Sequence, residues 1–257
     1  MGQHFLGDPA WQQRIYATLP RPDQETWLEI GAGHGEMTSH LAAKARRVVA
    51  IEGDARLAAS LRERAACEWR NVDVVAGDVL RLDLAQWLGG GARVYGNLPY
   101  YITSPILHRL FECADRIASM HIVIQLEVAE RIAAQPCTRD YGYLSLASQF
   151  YAKPEIALKI PPGAFRPPPK VTSALMHLHF PGARAAVGIA NGHRFLEFVG
   201  KCFAKKRKTL RNNALSMAAA SAIDDALRAY NIPLDARAEQ LTIEQFAALY
   251  RELSSKE

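Results

Sequence analysis

The sequence predicts a doubly wound α/β domain followed by a small all-α domain. Three observations carry this. Short apolar, β-branched runs alternate with helical patterns over the first part of the chain, as parallel βαβ units require. A glycine-rich loop follows the first of those runs directly. A Gly/Ala-rich, charge-poor stretch at residues 181–192 is then followed only by helical apolar spacing. The expected boundary is at 182/183, with residues 1–182 forming the α/β domain and residues 183–257 the helical one.

Residues 26–32 (TWLEIGA) form an apolar run ending in glycine and read as a buried strand. Residues 36–45 read as a helix, and residues 47–52 (RVVAIE) as a second strand. Residues 55–69 are helical, with Leu57, Leu61, Ala65 and Trp69 four apart on one face. Further strands are expected at 72–76, 93–96 and 121–125. Residues 170–180 alternate and read as an antiparallel strand at the end of the sheet. In the helical part, Phe195, Phe198, Val199, Cys202 and Phe203 share a face. Thr242 and Gln245 fit a capping box, with Leu241 and Phe246 placed for a hydrophobic staple.

Composition sets the class. The chain has 257 residues, 49% hydrophobic and 22% charged, ordinary for a soluble globular protein able to bury a core without staples. Cys67, Cys113, Cys137 and Cys202 are far apart and form no Cys/His cluster at zinc spacing. Neither a disulfide framework nor a metal is therefore expected. No apolar run reaches the ~18 residues of a membrane span, and the N-terminus lacks the pattern of a signal peptide. A cytoplasmic protein is expected, and no apolar surface stripe suggests a dimer.

The net charge of +5 is unevenly distributed. Residues 1–180 carry 19 basic and 18 acidic side chains. Lys201, Lys205, Lys206, Arg207, Lys208 and Arg211 lie within eleven residues that contain no acid. On a continuous helix, Lys201, Lys205 and Lys208 would share one side, with Arg211 near it. Such a stripe can neutralise phosphates, so these six residues are the expected RNA contact.

The loop Glu29-Ile-Gly31-Ala-Gly33-His-Gly35 has the spacing G-x-G-x-G rather than the dinucleotide G-x-G-x-x-G. Glycines at Gly31 and Gly33 let the backbone turn sharply and a ligand approach closely. Glu52 ends the second strand about 20 residues later, where a carboxylate can accept both hydroxyls of a ribose. Asp78 ends the third strand and can accept from the exocyclic amine of an adenine. Three such features at one carboxyl edge point to a nucleoside ligand. With no pyrophosphate site evident, S-adenosylmethionine is favoured over NAD. His34 reads as a solvent-facing loop residue.

Asn97-Leu98-Pro99-Tyr100 follows the fourth strand. An adenine N6 amine is a poor nucleophile because its lone pair is delocalised into the ring. Two acceptors that hold its N–H groups favour a pyramidal nitrogen with the lone pair aimed at an incoming methyl. The Asn97 side-chain oxygen and the carbonyl of Leu98 or Pro99 suit this role. Proline pre-sets the backbone, and Tyr100 can stack on the base. Phe165, the large apolar residue of the proline-rich loop 161–171, is expected to cover the other face of an extruded base.

Together, the segments QHFL, EIGAGHGEMT, Glu52, Gly77-Asp78, NLPY, FRPPPKVTSA, FAKKRKTLRN and DARAEQL resemble the ribosomal RNA adenine N6-dimethyltransferases, most closely the bacterial small-subunit (16S-type) group, over essentially the whole chain. The resemblance implies a Rossmann-like methyltransferase fold. It also implies dimethylation of two adjacent adenines in the 3′-terminal hairpin of small-subunit rRNA, within an assembling subunit. His4, Leu6, Gly31, Glu52, Asp78 and Asn97 match the family's cofactor contacts. Two rival readings are a large-subunit rRNA adenine methylase of the macrolide-resistance type and an RNA-binding assembly factor without catalysis. The intact NLPY argues against the second.

Overall fold

The structure is a computed structural model and describes residues 4–20 and 25–254. Gln3 of the N-terminal motif lies outside the described residues. In chain order the elements are β1 (Phe5–Leu6), α1 (Pro9–Thr18), β2 (Thr26–Ile30), α2 (Glu36–Ala42), β3 (Arg47–Glu52), α3 (Ala55–Glu68) and β4 (Val72–Ala76). They continue with β5 (Ala92–Asn97), α4 (Thr103–Phe111), β6 (Ile117–Gln125), α5 (Leu126–Ala133), α6 (Tyr143–Tyr151), β7 (Lys153–Ile160), β8 (Phe165–Arg166) and β9 (Ser173–His179). The last five are helices, α7 (Arg184–Val187), α8 (Gly192–Cys202), α9 (Leu210–Ala214), α10 (Ala220–Ala229) and α11 (Ile243–Ser254).

Seven strands form one sheet in the order β4-β3-β2-β5-β6-β9-β7, and β1 pairs with β8 in a separate ribbon. β4, β3, β2, β5 and β6 are parallel, whereas β9 is antiparallel to both β6 and β7. β2 is buried at every position, and β3 at all but its first. Strands covered on both faces need near-continuous apolar sequence, which is why they are legible as runs. Each fully buried Leu, Ile or Val in them stabilises by about 1.5–3 kcal/mol. Polar side chains then set the helix starts. Asp54 accepts from the amides of Arg56 and Leu57 at 2.8 and 3.2 Å to begin α3, and Asp8 accepts from Ala10 at 2.8 Å ahead of Pro9 in α1.

β3 and β5 flank β2 on opposite sides, so the direction of winding reverses between β2 and β5. Open α/β sheets bind ligands in the crevice that this reversal leaves at the carboxyl edge.

The 170–180 strand is not the sheet's end. It is β9, internal between β6 and β7, and β7 forms the edge. Pro154 lacks an N–H to donate, and β7 carries an irregularity between Ile156 and Leu158, both features of an edge strand that obscure its pattern. α2, expected over residues 36–45, stops at Ala42, and β6, expected over 121–125, already starts at Ile117.

The chain divides into two compact units. One holds residues 1–129 and 153–180, and the other residues 130–152 and 181–257. The 182/183 boundary expected from sequence lies near the last of these crossings. Residues 130–152 group with the later helices because α6 is buried nearly all round. Its Phe150 packs 4.8 Å from Phe195, which itself packs on Tyr250 at 5.6 Å. Thr242 and Gln245 exchange both capping-box bonds, at 3.0 and 3.3 Å. Among the described residues no helix is long and apolar enough to cross a membrane.

One acid sits inside the sheet. Glu29 on β2 is buried, accepts from the Thr38 hydroxyl at 2.6 Å, and burial pushes its carboxyl up to about 8, with Glu36 and Glu52 adding smaller repulsions and the Thr38 bond acting the other way. It is thus protonated in the folded protein at neutrality and ionised in the unfolded chain. The associated stability is fully present below pH 4.5, declines as pH rises to about 8, and is level above that. The loss is at most roughly 4–5 kcal/mol. Thermal melts of Glu29→Gln are expected to lack this decline and to exceed the parent at pH 8. A steeper decline in the variant would refute the assignment.

Candidate active site

A cleft of about 660 Å³ opens at the carboxyl ends of β2, β3, β4 and β5. Its walls include Gly31, Glu52, Asp78 and all four residues of Asn97–Tyr100, together with His4. Ile30, Ile51, Val79 and Ile106 supply apolar surface between them.

The glycine loop forms because its backbone takes left-handed angles, with φ of 72° at Gly31, 58° at Gly33 and 86° at Gly35. A Cβ on Gly35 would lie 2.5 Å from Leu61 Cδ1, so α2 can begin there only with glycine. Glu52 is 4% exposed, and each carboxylate oxygen is fixed by a backbone amide: Gly33 N–H donates to Oε2 at 2.8 Å and Asp54 N–H to Oε1 at 2.9 Å. The loop, the end of β3 and the start of α3 are therefore tied together at one carboxylate. Asp78 is exposed and accepts from the Leu80 amide at 3.0 Å.

Asn97 donates its amide N–H to the His4 carbonyl at 2.8 Å. This bond fixes which end of the side chain is the oxygen, and leaves Oδ1 as an acceptor on the cleft wall. The Pro99 carbonyl already accepts from Ile102 N–H and from the Thr103 hydroxyl, both at 3.2 Å. Tyr100 is half-buried, and its hydroxyl lies 2.6 Å from Ser173 Oγ. Burial raises its hydroxyl pKa, against a smaller opposing effect of the Ser173 bond. Its ring lies 5.7 Å from that of His4, whose Nδ1–H donates to the Pro167 carbonyl at 2.7 Å.

Three expected site residues lie elsewhere. Phe165 is 0% exposed and packs in the core with Ile15, Trp27 and Leu175, so its ring has no face open to a base. Its pairing with Leu6 across β1 and β8 draws both side chains inward, and Leu6 is 5% exposed in the same core. Gly33 does not line the cleft but orients Glu52 through its amide. The cleft also has two aromatic walls not expected from sequence, Phe5 and Tyr101. Tyr101 is 71% exposed, and its position next to Tyr100 was the available signal.

The basic segment also differs from its expectation. α8 ends at Cys202, and residues 203–209 form turns rather than a continued helix, so no single helical stripe exists. Asn213 braces the segment by donating to the carbonyls of Cys202 and Lys205 at 2.8 and 3.3 Å. Lys201, Lys205, Lys206, Arg207 and Lys208 are exposed. Arg211 instead forms a two-pronged ion pair with Asp224, the second contact at 3.0 Å, and this holds the Asp224 carboxyl below its usual range. The acid missing from the local sequence comes from thirteen residues away. His34 is exposed, with its ring 4.9 Å from Phe5.

Comparison with known proteins places the chain among relatives. Residues 1–255 match the family described as ribosomal RNA adenine dimethylase. A protein of Koribacter versatilis named ribosomal RNA small subunit methyltransferase A is 41% identical over 270 residues, 98% of this chain and 93% of the relative. A protein of the same name from Acidobacterium capsulatum is 41% identical over 259 residues, 100% of this chain and 91% of the relative. Among solved structures, the 23S rRNA methyltransferase ErmE superposes with a TM-score of 0.70 at 29% identity, covering 97% of this chain and 99% of that one. A dimethyladenosine transferase from Plasmodium falciparum shares the fold with a TM-score of 0.85 at 23% identity, covering 98% of each chain.

Proposed function

The chain belongs to the ribosomal RNA adenine dimethylase family, and from that membership we propose that it dimethylates N6 of two adjacent adenines in the 3′-terminal hairpin of small-subunit rRNA. It does so as a monomer in the cytoplasm, on an assembling subunit. The observation that carries this is the Asn97 side chain, locked by the His4 carbonyl with its oxygen left to accept at the end of β5.

The cleft fits S-adenosylmethionine. A carboxylate held by two amides retains lone pairs for ribose hydroxyls, and the apolar walls suit an adenine ring. The cofactor supplies an electrophilic methyl group. Glu52 takes the ribose, Asp78 the adenine amine, and Gly31 and His4 border the site.

The target adenine enters with its amine toward Asn97. Asn97 Oδ1 accepts one N6–H. Because the Pro99 carbonyl is engaged by Ile102 and Thr103, the second acceptor is the Leu98 carbonyl. Held so, the nitrogen pyramidalises and directs its lone pair at the methyl. No general base is needed, since the proton can leave after attack. Tyr100 stacks on the base and Tyr101 borders the entrance, an arrangement in which positioning and fixed dipoles carry the rate. Purified protein is expected to transfer labelled methyl to undermethylated small subunits. Preference for isolated large-subunit rRNA would instead support the macrolide-resistance type, and no transfer with cofactor bound would overturn both.

Lys205, Lys206, Arg207 and Lys208, with Lys201, dock RNA phosphates. Arg211 is not counted with them, because Asp224 already neutralises it. Replacing Lys205, Lys206, Arg207 and Lys208 by Ala is expected to weaken RNA binding and to flatten its salt dependence, by about one slope unit for each phosphate no longer neutralised, with cofactor affinity unchanged. Equal loss of both affinities would make the segment structural.

A further inference from the structure

At the sheet end opposite the cleft, the strand registers stack polar side chains that no part of the proposed reaction uses. Across one row, Tyr95, His121, His177 and Glu155 are successive partners on β5, β6, β9 and β7. In the next row on the same face, Arg93, Ser119 and His179 follow. The three imidazoles thus form one group, His121 and His177 at 4.5 Å and His177 and His179 at 5.9 Å between ring centres. We propose that Glu155, His177 and His179 form a binding site for a zinc-class divalent cation that pins the edge strand β7 to β9.

The donor atoms of these three residues already lie within 4.8 Å of one another. His179 Nε2 and Glu155 Oε2 are 3.5 Å apart. Two ligands at ~2.0–2.2 Å from a tetrahedral zinc are separated by about 3.4 Å, so this pair needs almost no adjustment. Three protein ligands leave one position for water. Two imidazoles and a carboxylate suit Zn²⁺ rather than Mg²⁺ or Ca²⁺, which take oxygen ligands.

The surroundings prepare His177 as a ligand. Thr18 gives its hydroxyl proton to the Ile15 carbonyl at 2.8 Å, so toward His177 Nε2, at 3.5 Å, its oxygen can only accept. That assigns the proton to Nε2 and leaves Nδ1 with a lone pair, the orientation that an outer hydrogen bond imposes on a metal-binding imidazole. The nearby cation Arg93 is paired with Glu25. His121 is fully buried behind the group, its Nε2 2.8 Å from Ser119 Oγ.

The full-length protein, stripped with chelator, should be titrated with Zn²⁺ by calorimetry and with Co²⁺ as a spectroscopic probe. One ion per chain and a tetrahedral Co²⁺ spectrum are expected, with a higher Tm when Zn²⁺ is present. Glu155 and His179 are exposed, so Glu155→Gln and His179→Gln should fold, and each should weaken binding at least ~10-fold and abolish the Tm rise. His193→Gln, which removes an exposed His/Glu pair in α8, should bind as the parent does. Absence of uptake by the parent, unaltered binding by His179→Gln, or loss of binding in His193→Gln would each overturn the site.

Discussion

Asn97→Ala is expected to lower kcat for methyl transfer to undermethylated small subunits by about 10²- to 10³-fold, the loss typical of removing one preorganised hydrogen-bond partner of a reacting group. Alanine removes the oxygen that holds N6–H, and also the N–H bond to the His4 carbonyl that ties β1 to the end of β5. The two effects separate experimentally. Loss of the tie would lower Tm and weaken cofactor binding, because His4 borders the same cleft. Loss of the acceptor would leave both nearly unchanged while transfer collapses. Transfer within a few-fold of the parent would remove Asn97 from the chemistry, whereas a variant that has lost transfer yet leaves every cellular effect of the protein unchanged would favour the non-catalytic assembly factor.

Glu52→Ala is expected to weaken S-adenosylmethionine binding by roughly 10- to 150-fold, corresponding to about 1.5–3 kcal/mol for hydrogen bonds to a charged group. The effect includes the loop, since the Gly33 and Asp54 amides lose their shared acceptor. Asp78→Ala should have a smaller effect, because Asp78 is exposed and its carboxylate is already partly solvated. Calorimetric titration of both variants checks the order. Equal effects, or a Glu52→Ala affinity within three-fold of the parent, would mean that the ribose is held elsewhere.

Much of the cleft was legible because its parts sit on consecutive strand ends. Gly31, Glu52, Asp78 and Asn97 each follow an apolar run, and parallel strands covered on both faces must be apolar runs. Once such strands are placed in order, their carboxyl ends meet without further information. Where the expectation failed, the reason was a partner distant in sequence. A large aromatic in a proline loop looks exposed until β8 pairs with β1 and turns Phe165 into the core. Six cations without an acid look free until Asp224 reaches Arg211. A continuous basic helix looks natural until α8 ends at Cys202 and Asn213 closes the turn beyond it.

The sequence by itself determined the alternation of strands and helices, the glycine loop, the acids that follow it and the NLPY segment at the end of β5, because each depends on neighbours a few residues apart. Only the tertiary structure decided that β9 lies inside the sheet with β7 as its edge, that residues 130–152 join the later helices, and that the Pro99 carbonyl is already engaged by Ile102 and Thr103. It also decided that His177, His179 and Glu155 meet. The spacing His-x-His in β9 places two imidazoles on one face, but the carboxylate between them comes from a strand whose register no local pattern specifies.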